Sequence, residues 1–446
     1  MQVKGLGSSR VWWGLGVVGL LAVGLLAFGA LLGGGQPTPQ VASSSRPSAT
    51  ASPGVDPLVA EIGRLQAKLR AAPTDYASWG QLGLDYVQQA KITVDPTYYP
   101  KAQGALDRSL QLNTVDNYTA MAGQAALTAA EHKFGESREW AQKGLAINPY
   151  NATLYGSLDD ADTQLGLYDQ AQVAAQKMLD LKPGVPSFTR GEYVLELRGD
   201  LAGATAAMQQ ALQVAQAPSD KAFADYYLGE LAFNSGDPTA ALRYANAGLS
   251  ADPTYSALRE GRAKAEAALG QVDAAVADYL LVVSEVPQPT YLIEAGEYLQ
   301  SLGRIQDAQT QYSLFDTENA LFTANGVTLD TDPALFYADH GDPARAMAYA
   351  EVGLKIRPFL EMQDAYAWAL HVNGRDAEAL TYERLAMAQG TRNAMFFFHK
   401  GMIEKALGQR AAAITDLRTA LAVNPNFNPL QVPVLRQALT DLGAGA

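Results

Sequence analysis

The sequence contains no cysteine and only four histidines among 446 residues. Without cysteine there is no disulfide, no thiolate zinc site, no cysteine nucleophile and no lipid-attachment cysteine after an apolar segment. The histidines are scattered, and none has a second histidine at the spacing of a metal-binding motif. The sequence therefore predicts no metal site and no cofactor, and it leaves the redox compartment open.

Basic residues are also scarce. Lysine and arginine number 33 against 46 aspartates and glutamates, so the formal net charge is -13. A surface this negative repels phosphate backbones and anionic lipid headgroups. Nucleic-acid binding is therefore excluded from the expected functions, and the expected partners are neutral or basic.

Catalytic motifs are missing from the chain. It has no Walker loop, H-E-x-x-H helix, nucleophile elbow or calcium loop. Two groups of acids come nearest to paired carboxylate chemistry: Asp159, Asp160 and Asp162, and then Asp330 with Asp332. A solvated helix face or a helix start explains both groups without catalysis, so the sequence predicts a protein that is not an enzyme.

A single long apolar run lies near the N-terminus. Residues 11–32 carry no charge over 22 positions, which is enough for a helix to cross a bilayer. Lys4 and Arg10 precede the run, and the next basic residue is Arg46. The positive-inside rule therefore predicts a single-pass membrane helix with residues 1–10 in the cytoplasm and everything after residue 32 outside. The sequence leaves open whether this segment is cleaved.

The next segment, residues 33–56, is rich in glycine, proline, serine, threonine and alanine and has almost no large apolar side chain. This composition predicts a disordered linker that holds the remaining residues, 57–446, away from the membrane. Gly29 and Gly33 form a G-x-x-x-G pattern, which would permit weak self-association through the membrane helix.

The rest of the chain repeats itself. Eight glycines are separated by 33, 37, 34, 33, 38, 33 and 34 residues, and an alanine follows each one five positions later. These glycines are Gly166, Gly199, Gly236, Gly270, Gly303, Gly341, Gly374 and Gly408. Prolines keep the same rhythm at Pro149, Pro183, Pro218, Pro253, Pro287, Pro358 and Pro425.

Each residue of this repeat has a structural reason. Glycine adopts the left-handed backbone that ends one helix, alanine lets the next helix pack closely, and proline ends that second helix. Each unit is then a helical hairpin of about 34 residues, and hairpins must stack because one alone cannot cover its apolar face.

The stretch WGQLGLDY, from Trp79 to Tyr86, resembles the first helix of a tetratricopeptide repeat, whose signature is Trp-x2-Leu-Gly-x2-Tyr. The resemblance covers roughly residues 57–443 and implies an all-α, right-handed solenoid of about ten helical hairpins with a capping helix at each end. The layout is also similar to membrane-anchored tetratricopeptide proteins of high-GC, actinobacterial-type bacteria. Two irregular segments interrupt the rhythm. Residues 92–99 are either a lengthened helix pair or an added contact site, and residues 319–332 are expected to form a bend in the solenoid.

In tetratricopeptide domains the first helices of the hairpins line a concave groove that binds a protein or peptide. Carrying that phase onto this chain gives a set of groove residues whose polar groups and rings would hold a ligand. They are Asp160, Gln164, Tyr193, Glu196, Tyr226, Glu230, Asn234, Glu297, Gln300, Trp368, His371 and Phe398. The alternative for each is a plain surface or packing residue, and the three consecutive rings at 396–398 must partly bury.

The sequence thus predicts a membrane-tethered scaffold for protein-protein interaction. Two alternatives stay open: an enzyme on a helical-repeat scaffold, suggested by the acid groups, and a carbohydrate-binding envelope protein, suggested by the groove rings. The identity of the partner, the pathway and the oligomeric state are not encoded in any feature of the sequence.

Overall fold

The computed structural model describes residues 57–93, 95–327 and 330–445. These residues form 22 helices and no strand, which confirms the predicted all-α fold. No helix within the described residues is both long and apolar enough to pass through a bilayer. The predicted cytoplasmic N-terminus, membrane helix and linker, residues 1–10, 11–32 and 33–56, lie outside the described residues.

The helices of the first half follow one another with short connections. They are α1 Pro57–Ala71, α2 Tyr76–Thr93, α3 Tyr98–Leu112, α4 Tyr118–Ala130, α5 Phe134–Ile147, α6 Ala152–Gln164, α7 Tyr168–Leu181, α8 Val185–Leu197, α9 Leu201–Val214, α10 Pro218–Asn234 and α11 Pro238–Ala251.

The second half continues in the same way. Its helices are α12 Ser256–Ala268, α13 Val272–Glu285, α14 Pro289–Ser301, α15 Ile305–Ala324, α16 Thr331–Asp339, α17 Pro343–Ile356, α18 Leu360–Val372, α19 Asp376–Ala386, α20 Ala394–Ala406, α21 Arg410–Val423 and α22 Gln431–Asp441.

Helices α2 to α21 pair into ten antiparallel hairpins, with α1 packed on the first and α22 on the last. The hairpins lie where the glycine and proline rhythm places them. Pro218 differs, because it begins α10 instead of ending α9. The first position of a helix suits proline, because the N–H group there has no partner within the helix. The right-handed superhelix stays a prediction.

The glycine and alanine of the repeat behave as predicted. All eight glycines have φ between 72° and 81°, the left-handed region that an L side chain enters only with strain. The eight alanines that follow are each no more than 2% exposed. The turn within every one of these hairpins is therefore set by glycine, and the close approach of its two helices by alanine.

The WGQLGLDY segment shows how two helices of a hairpin meet. Gly83 lies opposite Leu106, and a Cβ at Gly83 would lie 2.5 Å from the Leu106 Cγ. Tyr86 is buried in the same core cluster as Leu106, and Trp79 packs against that cluster. The Trp79 Nε1 donates to the Pro73 carbonyl at 3.0 Å. The glycine of the signature therefore makes room for a leucine of the partner helix.

The two irregular segments are lengthened helices with different consequences. In the first hairpin α2 runs for 18 residues, and Tyr99 of α3 is buried in the local core. In the seventh hairpin α15 runs for 20 residues and ends at a turn where Gly326 has φ +82°. Phe322 and Val327, at the end of this extension, pack into the core of the first two hairpins. The second irregularity therefore joins distant parts of the array.

That contact begins a seam along which the array touches itself. Turns inside hairpins two to five meet the connections that follow hairpins seven to ten. The paired positions are His132 with Asp330, Gly166 with Pro358, Gly199 with Gly390, and Gly236 with Val423. We call these eight residues the seam. One complete turn of the array therefore takes slightly more than five hairpins, and successive turns are in contact.

His132 is the seam position where glycine is replaced. It has φ +62°, and no other non-glycine residue within the described ranges has a positive φ. Its ring is buried, and Nδ1 lies 3.7 Å from the Asp330 Oδ2. A histidine is therefore held in a glycine-like backbone at the point where two turns of the array meet through a carboxylate.

Candidate functional site

The predicted groove residues all lie on the first helices of their hairpins. They differ widely in accessibility. Gln164, Glu297, Trp368 and Phe398 are buried, Asn234 is exposed, and Asp160, Tyr193, Glu196, Tyr226, Glu230, Gln300 and His371 are partly exposed. The accessible members lie mainly in hairpins three to seven.

Two aspartates of the α6 group are hydrogen-bonded to arginines, whereas both carboxylate oxygens of buried Asp159 lack a hydrogen-bond partner. Arg190 of α8 donates from Nε and Nη2 to the two carboxylate oxygens of Asp160, at 2.9 and 2.7 Å, and lies 3.6 Å from Asp159. Arg138 of α5 donates to Asp162. These ion pairs join neighbouring hairpins, so Asp160 and Asp162 have a packing role in this structure.

Several predicted groove residues bridge successive turns of the array. Gln164 accepts a hydrogen bond from Arg357 Nη1 at 3.0 Å, and the same guanidinium holds Asp330 through two donors. Buried Arg357 therefore ties the third hairpin to the seventh and eighth. The second acid group, Asp330 and Asp332, lies here as well, with Thr290 Oγ1 donating to Asp332 at 3.0 Å.

Two further bridges lie along the inner side. Tyr193 of α8 donates from its hydroxyl to Glu361 of α18 at 2.9 Å, across 168 residues. Asn428, just before α22, donates to Glu297 of α14 at 2.7 Å. The first helices are therefore partly covered by contacts with distant parts of the array, and less of their surface is accessible than an open groove would offer.

The C-terminal members form an aromatic cluster. Trp368 donates from Nε1 to Asp339 at 2.8 Å, and its ring stacks on His399 and on His371 at centroid distances of 4.2 and 4.7 Å. Phe398 is fully buried beside Trp368 and Phe427. The core interpretation of the three consecutive rings therefore holds for Phe398.

A group of carboxylates lies together on three first helices, with Glu192 buried and the other three partly exposed. It consists of Glu192 and Glu196 of α8, Glu230 of α10 and Glu361 of α18, which we call the inner acidic patch. Lys264 of α12 lies 2.9 Å from Glu230, at one edge. Glu192 and Glu196 have no ion pair with a lysine or arginine of the described chain. The rings of Tyr193 and Tyr226 lie on the same helices.

The proximity of these carboxylates shifts their protonation. Burial, followed by the charges of Glu361 and Glu230, raises the pKa of Glu196 to about 7. Burial also raises the pKa of Glu361 to about 7, although the Tyr193 hydroxyl partly offsets it. Burial and the neighbouring Glu196 raise the pKa of Glu192 in the same direction. The patch therefore holds protons near neutral pH and releases them as the pH rises.

The stability of the protein should accordingly fall between about pH 5.5 and pH 8. The folded state keeps protons on Glu196 and Glu361 up to about pH 7, whereas these carboxyls have an ordinary pKa of 4.5. The folded state thus binds more protons than the unfolded chain in this interval, which makes the free energy of unfolding decrease as the pH increases. Glu318 and Glu404, with pKa values of about 7, act in the same direction.

Urea titrations at about pH 5.5 and pH 8, followed by circular dichroism, test the expected fall in stability. The double variant Glu196→Gln, Glu361→Gln should show a smaller pH dependence than the wild type. The carboxyl with a pKa of about 2, Asp75, titrates below the interval and has no influence there. A wild-type stability that rises toward pH 8 would contradict the assignment.

One crevice lies beside the patch, between Thr163, Leu197 and Gln389. Even with the open solvent at its mouth counted, its empty volume of about 200 Å³ lies below the roughly 300 Å³ of the smallest small-molecule pockets. This crevice offers no room for a drug-sized substrate. It lies along the seam and is part of the contact between turns.

Two members of the patch, Glu192 and Glu361, are absent from the groove residues that the sequence predicted. Glu192 precedes Glu196 by four residues, so helical periodicity places both on one face of α8 and was a sufficient signal. Glu361 had no such signal, because its proximity to Glu196 depends on the contact between turns. Neighbours separated by 165 positions cannot be found from spacing.

Comparison with known proteins supports the repeat assignment. Residues 396–427 match the family model described as tetratricopeptide repeat. A search of the curated proteins gives no match.

Among solved structures, the chain is similar to three helical-repeat proteins. For the Cut9–Hcn1 hetero-tetramer of the APC/C, the identity is 15%, coverage is 85% of this chain and 82% of that chain, and the TM-score is 0.42. For yeast Tom70 the identity is 12%, coverage is 86% of this chain and 96% of that chain, and the TM-score is 0.34. For TTC0263, a tetratricopeptide protein of Thermus thermophilus, the identity is 22%, coverage is 43% of this chain and 98% of that chain, and the TM-score is 0.36. Likenesses at these values carry no functional argument. The family match within the tenth hairpin, on an array of ten helical hairpins, supports a tetratricopeptide repeat protein.

Proposed function

We propose that this protein is a membrane-tethered, non-enzymatic scaffold that binds a protein segment carrying basic residues on its inner surface. Tetratricopeptide arrays typically serve protein-protein interaction, and the family match in the tenth hairpin supports such a role here. The proposal adds the place of binding and the charge of the partner.

The observation that carries the proposal is the inner acidic patch. Four carboxylates from three first helices lie together, and Lys264 is the cation paired with them within the described residues. Concentrating like charges costs free energy, which a bound cation relieves. The lysine or arginine side chains of a partner would supply that charge, and the nearby tyrosines would supply contact area.

The membrane tether rests on the sequence. The uncharged residues 11–32 and the basic residues before them support a membrane helix, and the composition of residues 33–56 supports a linker. The resemblance to membrane-anchored tetratricopeptide proteins of high-GC bacteria points the same way. In this arrangement the array faces the outside of the cell membrane and meets its partners there.

Binding of short labelled peptides to the full chain in nanodiscs tests the proposal. A Lys-Ala repeat peptide should bind at about pH 8, where Glu196 and Glu361 are ionised, and more weakly near pH 5.5, where these two carboxyls are protonated. A Ser-Ala repeat peptide measures binding that does not need charge. Equal affinity for the two peptides would rule out a patch that selects basic partners.

A charge-matched pair of variants separates the patch from the general negative charge of the protein. Glu196→Gln with Glu361→Gln removes two patch carboxylates, and Asp273→Asn with Asp307→Asn removes two exposed carboxylates from second helices. We expect the first pair to weaken Lys-Ala binding by about 10-fold and the second pair by less than about twofold. Equal losses would show that the peptide binds the surface at large and would contradict the proposal.

A further inference from the structure

Three side chains that bind metals in many proteins meet inside the core of the ninth and tenth hairpins. Asp364 comes from α18, Glu383 from α19 and His399 from α20. Their exposed fractions are 1%, 0% and 0%. The His399 Nδ1 lies 2.7 Å from Asp364 Oδ1, and one potential ligand atom from each residue lies within 4.8 Å of the others.

The charges of this group are not balanced by the protein. Both carboxylate oxygens of Glu383 lack a hydrogen-bond partner, and so does the His399 Nε2. Lys400, which follows His399, is held at 2.8 Å by Asp416 and at 3.8 Å by Glu404. Burying a carboxylate without a partner is strongly unfavourable, so the group requires a further cation or proton.

The carboxylates of Glu383 and Asp364 are close enough to share one proton or one cation. Burial and the neighbouring Asp364 carboxylate raise the pKa of Glu383 well above its ordinary value. A proton shared by the two carboxyls is one way to satisfy them. A metal ion would satisfy the same carboxylates and would in addition bind one nitrogen of the imidazole.

We propose that Asp364, Glu383 and His399 bind a divalent transition-metal ion, with zinc the best fit. Two carboxylates cancel the charge of the ion, and a neutral imidazole adds a nitrogen ligand that favours zinc over magnesium or calcium. Ligands about 2.1 Å from zinc are roughly 3.4 Å apart in a tetrahedral site, so a shift of about 1 Å closes this group around the ion.

The ion would act as a structural brace. Its ligands come from three consecutive helices, so binding ties the two helices of the ninth hairpin to the first helix of the tenth. The residues are separated by 19 and 16 positions and match no short motif. The sequence prediction of no metal rested on histidine spacing, which cannot detect a site assembled by three helices.

Metal titration of the full chain in detergent, after treatment with a chelator, tests the proposal. We expect one Zn²⁺ per chain by calorimetry and an unfolding temperature that rises with the free Zn²⁺ concentration. Co²⁺ should give the visible absorption of a site with nitrogen and oxygen ligands. Affinity should fall as the pH is lowered, because protons compete for the same carboxylates. Absence of both the Zn²⁺ heat and the Co²⁺ absorption would overturn the proposal in favour of a shared proton.

Three variants locate the bound ion. Glu383→Gln keeps the size of the side chain and removes its charge, so Zn²⁺ affinity should drop by at least about 10- to 100-fold. His371→Gln is the matched control, because this second imidazole also stacks on Trp368 but is bonded to Asp376 outside the core. Its affinity should equal that of the wild type.

If Glu383→Gln does not fold, as judged by circular dichroism, Asp364→Asn takes its place with the same expectation. Wild-type affinity in a folded Glu383 or Asp364 variant would place the ion elsewhere and overturn the assignment. A loss of affinity confined to His371→Gln would do the same.

Discussion

Replacing Arg357 with methionine is expected to lower the free energy of unfolding by about 3–5 kcal/mol, the usual effect of removing one partner of a buried ion pair. Arg357 is 2% exposed, and its guanidinium donates to both carboxylate oxygens of Asp330 and to Gln164. Burial alone would raise the pKa of Asp330, but Arg357 and His132 outweigh it and hold the pKa well below its ordinary value. The variant therefore leaves a buried charge that has lost its main partner.

Urea titration at neutral pH measures this effect, and two companion variants interpret it. Arg357→Met combined with Asp330→Asn should recover part of the loss, because the unpaired charge is then gone. Arg375→Met removes an arginine from an exposed pair with Glu378 and should leave the urea midpoint unchanged. Equal midpoints for Arg357→Met and wild type would mean that this bridge between turns does not contribute to stability.

Replacing Gly199 with alanine is expected to open the seam. Gly199 has φ +75°, and a Cβ there would overlap the carbonyl oxygen of Gly390 in the adjacent turn. The left-handed backbone alone costs about 1–2 kcal/mol for an L residue. The overlap adds about 1–3 kcal/mol if the turns stay together, since packed backbone cannot move aside freely. The array can relieve the steric overlap with Gly390 by separating its turns.

Gly408→Ala is a closely matched control for this prediction. Gly408 occupies the same turn of the tenth hairpin with φ +72°, but nothing lies within 4 Å of a Cβ added there. Gly408→Ala should therefore show only the backbone effect. Small-angle scattering should report a larger radius of gyration for Gly199→Ala and an unchanged one for Gly408→Ala. Identical urea midpoints and scattering for the two variants would refute a stabilising contact at the seam.

The candidate site was predictable from the sequence only in part. The phase of the repeat assigned Glu196, Tyr226 and Glu230 to first helices of the hairpins, where they lie, because helix periodicity fixes the direction of each side chain. It gave no indication that Gln164 is hydrogen-bonded to Arg357 and that Glu297 is hydrogen-bonded to Asn428. These partners are 193 and 131 residues away, and no spacing rule reaches that far.

The periodic part of this protein was determined by its sequence. Glycine at the left-handed turns and alanine at the crossing of two helices each act within a few residues of their own position, so their spacing alone fixed the helices and the hairpins. The tertiary structure decided where successive turns touch, since small rotations between neighbouring hairpins accumulate over five units. Their sum brings His132 to Asp330 and Glu196 to Glu361, and it determines which inner residues remain accessible to a partner.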